Sequence, residues 1–169
     1  MSSTSSPDVN AASPAEEIAR LQAAIDLAVR NVADGGGPFG AVIVHDGAVV
    51  GTGQNRVTRD NDPTAHAEVM AIRAACRRLG SFSLAGSVLY SSCEPCPLCL
   101  AAALWARIDR VVFAADRDDA ARAGFDDRAF YELQGQDPAA WPMPVVQRRV
   151  HGSADPMDAW LAFEGRVAY

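Results

Sequence analysis

Residues 87–115 read Ser87-Val88-Leu89-Tyr90-Ser91-Ser92-Cys93-Glu94-Pro95-Cys96-Pro97-Leu98-Cys99-Leu100-Ala101-Ala102-Ala103-Leu104-Trp105-Ala106-Arg107-Ile108-Asp109-Arg110-Val111-Val112-Phe113-Ala114-Ala115, and this stretch decides the fold. Ser87 to Ser91 is a short apolar run of buried-strand character, and Arg110 to Ala115 is another. Between them Pro97 to Ala106 is uncharged and rich in alanine and leucine, which predicts a buried helix. Strand, helix and strand joined by short links predict parallel pairing through a right-handed crossover.

The same alternation extends upstream. Pro63-Thr64 opens a stretch, Ala65 to Leu79, in which Val69, Ile72, Ala75, Cys76 and Leu79 fall at helical spacing, and Gly80 closes it. Asn55 to Asp62 is polar and breaks the pattern. Before it, Phe39 to Val44 and Ala48 to Gly53 flank Asp46-Gly47, a strong signal for two antiparallel strands joined by a tight turn. Ser13-Pro14-Ala15-Glu16 has the form of a capping box with proline at the first helical position, so a first helix is expected from Pro14 to Ala33. Downstream of Asp116 the signals weaken to a short helix around Asp126 to Leu133, a strand around Val145 to Val150 and a last helix from Asp155 to about Glu164. These elements predict an α/β chain, a three-layer α/β/α sandwich whose mixed sheet has about five strands. Residues 14–169 read as a single domain behind a Ser- and Ala-rich tail, Met1 to Ser13, expected to be disordered.

Composition narrows the function classes. The 169 residues carry 15 basic and 21 acidic side chains, a net charge of −6, and every basic one is arginine. The missing lysine excludes a Schiff-base lysine and a P-loop lysine. A pI near 4.9 argues against tight binding to a polyanion and for a small or neutral ligand, so no nucleic acid partner is expected. The N-terminus has no secretory pattern, and the apolar stretch Pro95 to Ala106 is too short for a membrane span, which points to a cytoplasmic protein with no membrane partner. Four cysteines, three of them clustered, read as a metal or redox site rather than a disulfide framework.

The chemistry concentrates in His66-Ala67-Glu68 and, thirty positions on, Pro95-Cys96-Pro97-Leu98-Cys99. Zinc takes nitrogen and thiolate ligands, and a catalytic site keeps three protein ligands and leaves its fourth position to water. His66, Cys96 and Cys99 meet that requirement. Cys96 and Cys99 stand at i and i+3 at the start of a helix, where one face and the positive helix end suit two thiolates. Glu68 is then a carboxylate able to take a proton from the water and hand it to a leaving amine. Each residue alone has a plainer reading: His66 as a cap or core histidine, the cysteine pair as a redox or structural site. Cys93 could replace Cys99 in the ligand pair or add a fourth ligand to a purely structural zinc; its place at a strand end favours Cys96 with Cys99. Cys76 reads as core, His45 and His151 as solvated.

The order H-x-E then P-C-x-x-C is similar to the signature of the zinc nucleobase deaminases, in which the glutamate is the general acid and base. Asp62 to Arg73, Ser92 to Cys99 and Ala123-Gly124-Phe125-Asp126-Asp127 together resemble the bacterial guanine deaminases of the cytidine deaminase-like superfamily. The resemblance runs from about Ala15 to Tyr169 and is faint between Gln134 and Gln147. It implies one catalytic Zn2+ per chain, a small nucleobase substrate, and a homodimer in which the C-terminal tail can be exchanged. It also implies that Phe39 packs on the purine, that Asn55 hydrogen-bonds the ring, and that Ala65 and Trp105 line the pocket. Asp127 would contact the base and assist proton transfer, and Tyr169 would close the site. Plainer roles stand beside these: Phe39 and Trp105 as packing, Asn55 as a turn residue, Asp127 as a helix cap, Tyr169 as a frayed end. The rival substrates are cytosine, a triazine such as ammeline, or guanosine. A tRNA adenosine deaminase would need a basic face, and a non-catalytic zinc module would leave Glu68 unexplained.

Overall fold

A computed structural model describes residues 12–168. Most of the expected disordered tail, through residue 11, and Tyr169 lie outside the described residues. The chain divides into two compact units, Met1–Asp127 and Arg128–Tyr169.

The first unit is built on a four-stranded sheet in the order β2-β1-β3-β4. Helix α1 (Pro14–Ala33) starts as expected: the Ser13 hydroxyl accepts from the Glu16 N–H while the Glu16 carboxylate accepts from the Ser13 N–H. Strands β1 (Gly40–His45) and β2 (Ala48–Gln54) form the hairpin. Asp46 and Gly47 both have positive φ, 48° and 73°, as a type I′ turn requires. A one-turn helix α2 (Val57–Asp60) interrupts the polar stretch, followed by α3 (Ala67–Leu79), β3 (Ser87–Cys93), α4 (Pro97–Trp105), β4 (Arg110–Ala115) and α5 (Arg117–Arg122). Strand β1 is antiparallel to both β2 and β3, and β3 is parallel to β4, so the sheet is mixed.

The pleat sends alternate residues to opposite faces. Val42, Val88 and Tyr90 pack with Ala24 under α1, whereas Ala41, Ile43 and Leu89 pack with Ala67, Ala71 and Ala75 of α3 and Ala103 of α4. Truncating a side chain as buried as Leu89 would cost roughly 2–5 kcal/mol. Gly51 and Gly53 of β2 admit α3 to close range; a Cβ on Gly53 would collide with the Ala67 carbonyl. The N-terminal turn of α3, with His66 and Glu68, is thereby pressed against the sheet.

Two expectations are corrected. Among the described residues the sheet has four strands and not five, because residues 145–150 form no ladder: the Val145 N–H is taken by the Pro138 carbonyl, and valines at 145, 146 and 150 lack the two-residue period that would give one buried face. Helix α4 is not buried all round; Leu98, Leu104 and Trp105 stand exposed on its outer side. The second unit carries α6 (Arg128–Gln134), a 3-10 turn (Pro138–Ala140) and α7 (Asp155–Ala162), and none of its described residues is buried.

Candidate active site

Two helix starts carry the ligand set. His66 is the N-cap of α3 and Cys96 the N-cap of α4, both with extended backbone, and neither side chain makes the capping hydrogen bond that Ser, Thr or Asp would supply there. His66 thus sits one residue before α3 and not inside the first turn of a helical stretch that was expected from Ala65. With their caps unmade, the two side chains turn to one another. His66 Nδ1 lies 3.5 Å from Cys96 Sγ and 3.4 Å from Cys99 Sγ, and the two sulfurs are 3.6 Å apart. All three ligand atoms fall within 4.8 Å of one another.

Cys99, in the first turn of α4, is fully buried. The hydrogen bond between the two sulfurs holds Cys96 far below the ordinary thiol range, at about 4, with His66 adding to the effect. Cys99 itself is pushed up by that hydrogen bond and by its burial. His66 is raised, chiefly by its hydrogen bond to Cys96. The cluster therefore already favours one thiolate beside the imidazole. One imidazole nitrogen and two sulfurs in a compact group, unexplained by capping, fit zinc in donor type and number. Cys93 does not join them: its Sγ points to the Asp116 carbonyl at 3.5 Å, and burial raises its thiol to about 11. The choice left open by spacing falls to Cys96 with Cys99.

Glu68 is buried in the first turn of α3. Its Oε1 accepts from the Ser91 hydroxyl at 3.1 Å, and its Oε2 accepts from the Cys99 thiol at 3.3 Å. Burial raises its carboxyl above the usual range. Ser91 had no place in the sequence reading. Its signal was a serine two residues from Leu89 in a strand buried along its whole length, and therefore on the α3 face.

Asp127 closes the first unit. Its Oδ1 is buried without a hydrogen-bond partner, and burial together with the Cys96 charge raises its carboxyl. Asp127 in turn helps to raise His66, so it lies within electrostatic reach of the ligands. Phe39 meets Phe125 edge to face, ring centroids 5.0 Å apart, which joins the start of β1 to the segment bearing Asp127. Asn55 is buried; its N–H donates to the Phe39 carbonyl at 3.1 Å and its Oδ1 accepts from the Val57 N–H at 3.3 Å. Buried Ala65 accepts from the Arg56 N–H at 2.9 Å, tying the Asn55 turn to the residue before His66.

A second arrangement missed in the sequence braces the ligand turn. The Arg117 guanidinium and main-chain N–H both donate to the Glu94 carboxylate, whose own N–H bonds the Ala115 carbonyl. Glu94 is two residues before Cys96, so the pair holds the Glu94-Pro95-Cys96 turn against the end of β4. Trp105 is not brought to the cluster within this chain. It ends α4, roughly 13 Å along the helix from Cys96, is 62% exposed, and lies near the Arg107 guanidinium. Tyr169 lies outside the described residues.

A His/Cys/Cys cluster at two facing helix starts, with a buried glutamate beside it on an α/β/α sandwich, is the arrangement of the zinc-dependent base deaminases. Residues 15–115 match the model of the cytidine and deoxycytidylate deaminase zinc-binding region, and the chain belongs to that deaminase family. Among its relatives, guanine deaminase of Bacillus subtilis is 49% identical over 150 residues, which cover 88% of this chain and 96% of that protein. The crystal structure of that enzyme superposes with a TM-score of 0.87 at 48% identity, covering 90% of this chain and 98% of the other. A tRNA-specific adenosine deaminase of Aquifex aeolicus is 43% identical over 95 residues, covering 56% of this chain and 63% of its own. The chain is thus a zinc-dependent deaminase, a hydrolase. No helix among the described residues is long and apolar enough to cross a membrane.

Proposed function

We propose that the chain hydrolyses guanine to xanthine and ammonia. The observation that carries this reading is the extent of the match: similarity to the Bacillus subtilis guanine deaminase spans 88% of the chain, whereas the tRNA-specific relative matches 56% of it. The acidic balance, −6 overall, supports a neutral base over a polyanion.

Zinc held by His66, Cys96 and Cys99 supplies the Lewis acidity that makes water a nucleophile at neutral pH. Glu68 takes the proton that the water gives up as its oxygen bonds to the ring carbon bearing the exocyclic amine. It then delivers that proton to the amine nitrogen as the carbon–nitrogen bond breaks and ammonia leaves. Ser91 holds the Glu68 carboxylate in place for both transfers. Phe39 packs on the purine face, Asn55 hydrogen-bonds the ring, and Ala65 lines the pocket. Asp127 takes a base N–H on its unpartnered Oδ1 and assists the proton transfer.

The same reading makes the protein a homodimer with exchanged C-terminal tails. In support, Phe130, Trp160, Leu161 and Phe163 of the second unit are exposed, as are Leu98, Leu104 and Trp105 on α4. A second copy covering these faces removes apolar surface from water. Trp105 belongs to that interface in our reading, and Tyr169 closes the site from the tail.

The test is ammonia release from guanine, guanosine, cytosine, adenine and ammeline, run with the wild type and Glu68→Ala side by side. Guanine turnover that vanishes in the variant is the expected result. Preference for cytosine or ammeline would overturn the substrate while leaving the zinc chemistry, and silence across the panel would overturn both.

A further inference from the structure

Asn31 lies in the last turn of α1, far in sequence from any ligand, and its side chain is fully buried. Its Nδ2 donates one hydrogen to the Gly37 carbonyl at 2.8 Å and the other to the Asn55 carbonyl at 2.7 Å. Two acceptors facing one atom fix the amide orientation, nitrogen inward. The Oδ1 accepts from the Arg59 guanidinium at 3.4 Å, and Arg59 also donates to the Asp34 carbonyl. The Asn31 main-chain carbonyl accepts from the Gly36 N–H at 2.8 Å, folding the glycine turn back over the side chain. Gly36 has no room for more: a Cβ there would stand 2.6 Å from Asn31 Cγ and Oδ1.

The two carbonyls that Asn31 holds belong to the segments that carry the base contacts. Gly37 leads through Pro38 to Phe39, and the Phe39 carbonyl accepts from the Asn55 N–H. Gly37 also lies against the Asn55 amide, 3.1 Å from its Cγ and Oδ1 to a Cβ built on the glycine. One buried amide thus ties the start of β1 to the end of β2 at the point where Phe39 and Asn55 emerge. Neither residue is on a helix, so their positions depend on loop backbone.

From this geometry we infer that Asn31 is a positioning residue for base recognition, acting through the Gly37 and Asn55 main chain on Phe39 and Asn55. The inference rests on the proposal that those two residues contact the base. Its signature is a rise in guanine KM, about tenfold or more, in enzyme that keeps its zinc and most of its kcat. Glu68 and the metal ligands sit on other elements, at the starts of α3 and α4.

The experiment compares Asn31→Asp, Gly36→Ala, Asn55→Ala and the Asn31→Asp/Asn55→Ala pair, with kcat, KM and bound zinc measured on the folded fraction of each. Asn31→Asp turns two donated hydrogen bonds into oxygen facing oxygen, and Gly36→Ala displaces the same amide with Asn31 intact. A KM rise in both, with an Asn31→Asp effect that is smaller in the Asn55→Ala background than in the wild type, is the expected result. Unchanged KM in the folded, zinc-loaded variants overturns the inference and leaves Asn31 a purely structural residue, as do effects that simply add. If Asn31→Asp fails to fold, the KM of Gly36→Ala decides alone. An Asn55→Ala variant with wild-type KM would instead sink the base-contact reading, and so marks that failure apart from the failure of Asn31.

Discussion

Ser91 and Glu68 are joined by a buried hydrogen bond in which the hydroxyl of a central strand donates to the carboxylate Oε1 at 3.1 Å. The bond fixes the proton carrier from the side opposite the helix that bears it. Hydrogen bonds to a charged group contribute about 1.5–3 kcal/mol. Ser91→Ala is therefore expected to lower kcat about tenfold or more while bound zinc and KM change little. Steady-state ammonia release with metal analysis on the same preparation checks it; an unchanged kcat would remove Ser91 from the proton path.

Glu68→Gln keeps the shape of the side chain and loses its basicity. Turnover should fall by roughly 10²–10⁴ with one zinc per chain retained. A variant that lost the metal as well would show Glu68 to be needed for the site to assemble.

Cys99 is fully buried and one of three ligands, so Cys99→Ser should lose both zinc and activity. Stripping the wild type with a chelator should lower Tm, and adding zinc back should restore it together with turnover. Full activity in protein shown to be metal-free would end the mechanism.

The Glu94–Arg117 pair makes a pH prediction. The Arg117 guanidinium holds the Glu94 carboxyl below its ordinary value of 4.5. A carboxylate lowered on folding adds stability that is present above the unfolded value and lost as pH falls through the folded one. The Tm difference between wild type and Glu94→Gln should therefore be steady from pH 6 to 8 and shrink below about 4.5. Thermal melts across that range decide it; a difference that grew on acidification would reverse the assignment.

Removing the last few residues, Tyr169 among them, should cut guanine turnover about tenfold or more with little change in Tm. Unchanged kinetics would take the tail out of the site. Light scattering should give twice the chain mass for the full protein, and a monomer would refute the exchanged dimer.

The sequence alone determined whatever depends on local spacing. The capping box at Ser13 and Glu16, the Asp46-Gly47 turn and the strand runs at 87–91 and 110–115 write their geometry into neighbouring residues, and all formed as expected. His66, Glu68, Cys96 and Cys99 were legible for the same reason: each pair sits within one helix start, so spacing reports direction. Helix α5 was missed although Asp116 and Asp119 form its capping box, because no apolar period follows them. The valine-rich stretch at 145–150 misled in the opposite way, since β-branched residues make a strand only where a neighbouring strand offers a ladder.

Only the tertiary structure decided which residues meet across elements. Spacing could not separate Cys93 from Cys99; the end of β3 turns Cys93 toward Asp116 and the start of α4 turns Cys99 toward His66. Nothing near Trp105 in the chain told that α4 leaves that face exposed. Ser91, Arg117 and Asn31 are each 23 to 24 residues from the partner they hold, and such bonds leave no local period to read. A side chain's own sequence fixes its helix or strand, but its partner is set by how the sheet orders its strands.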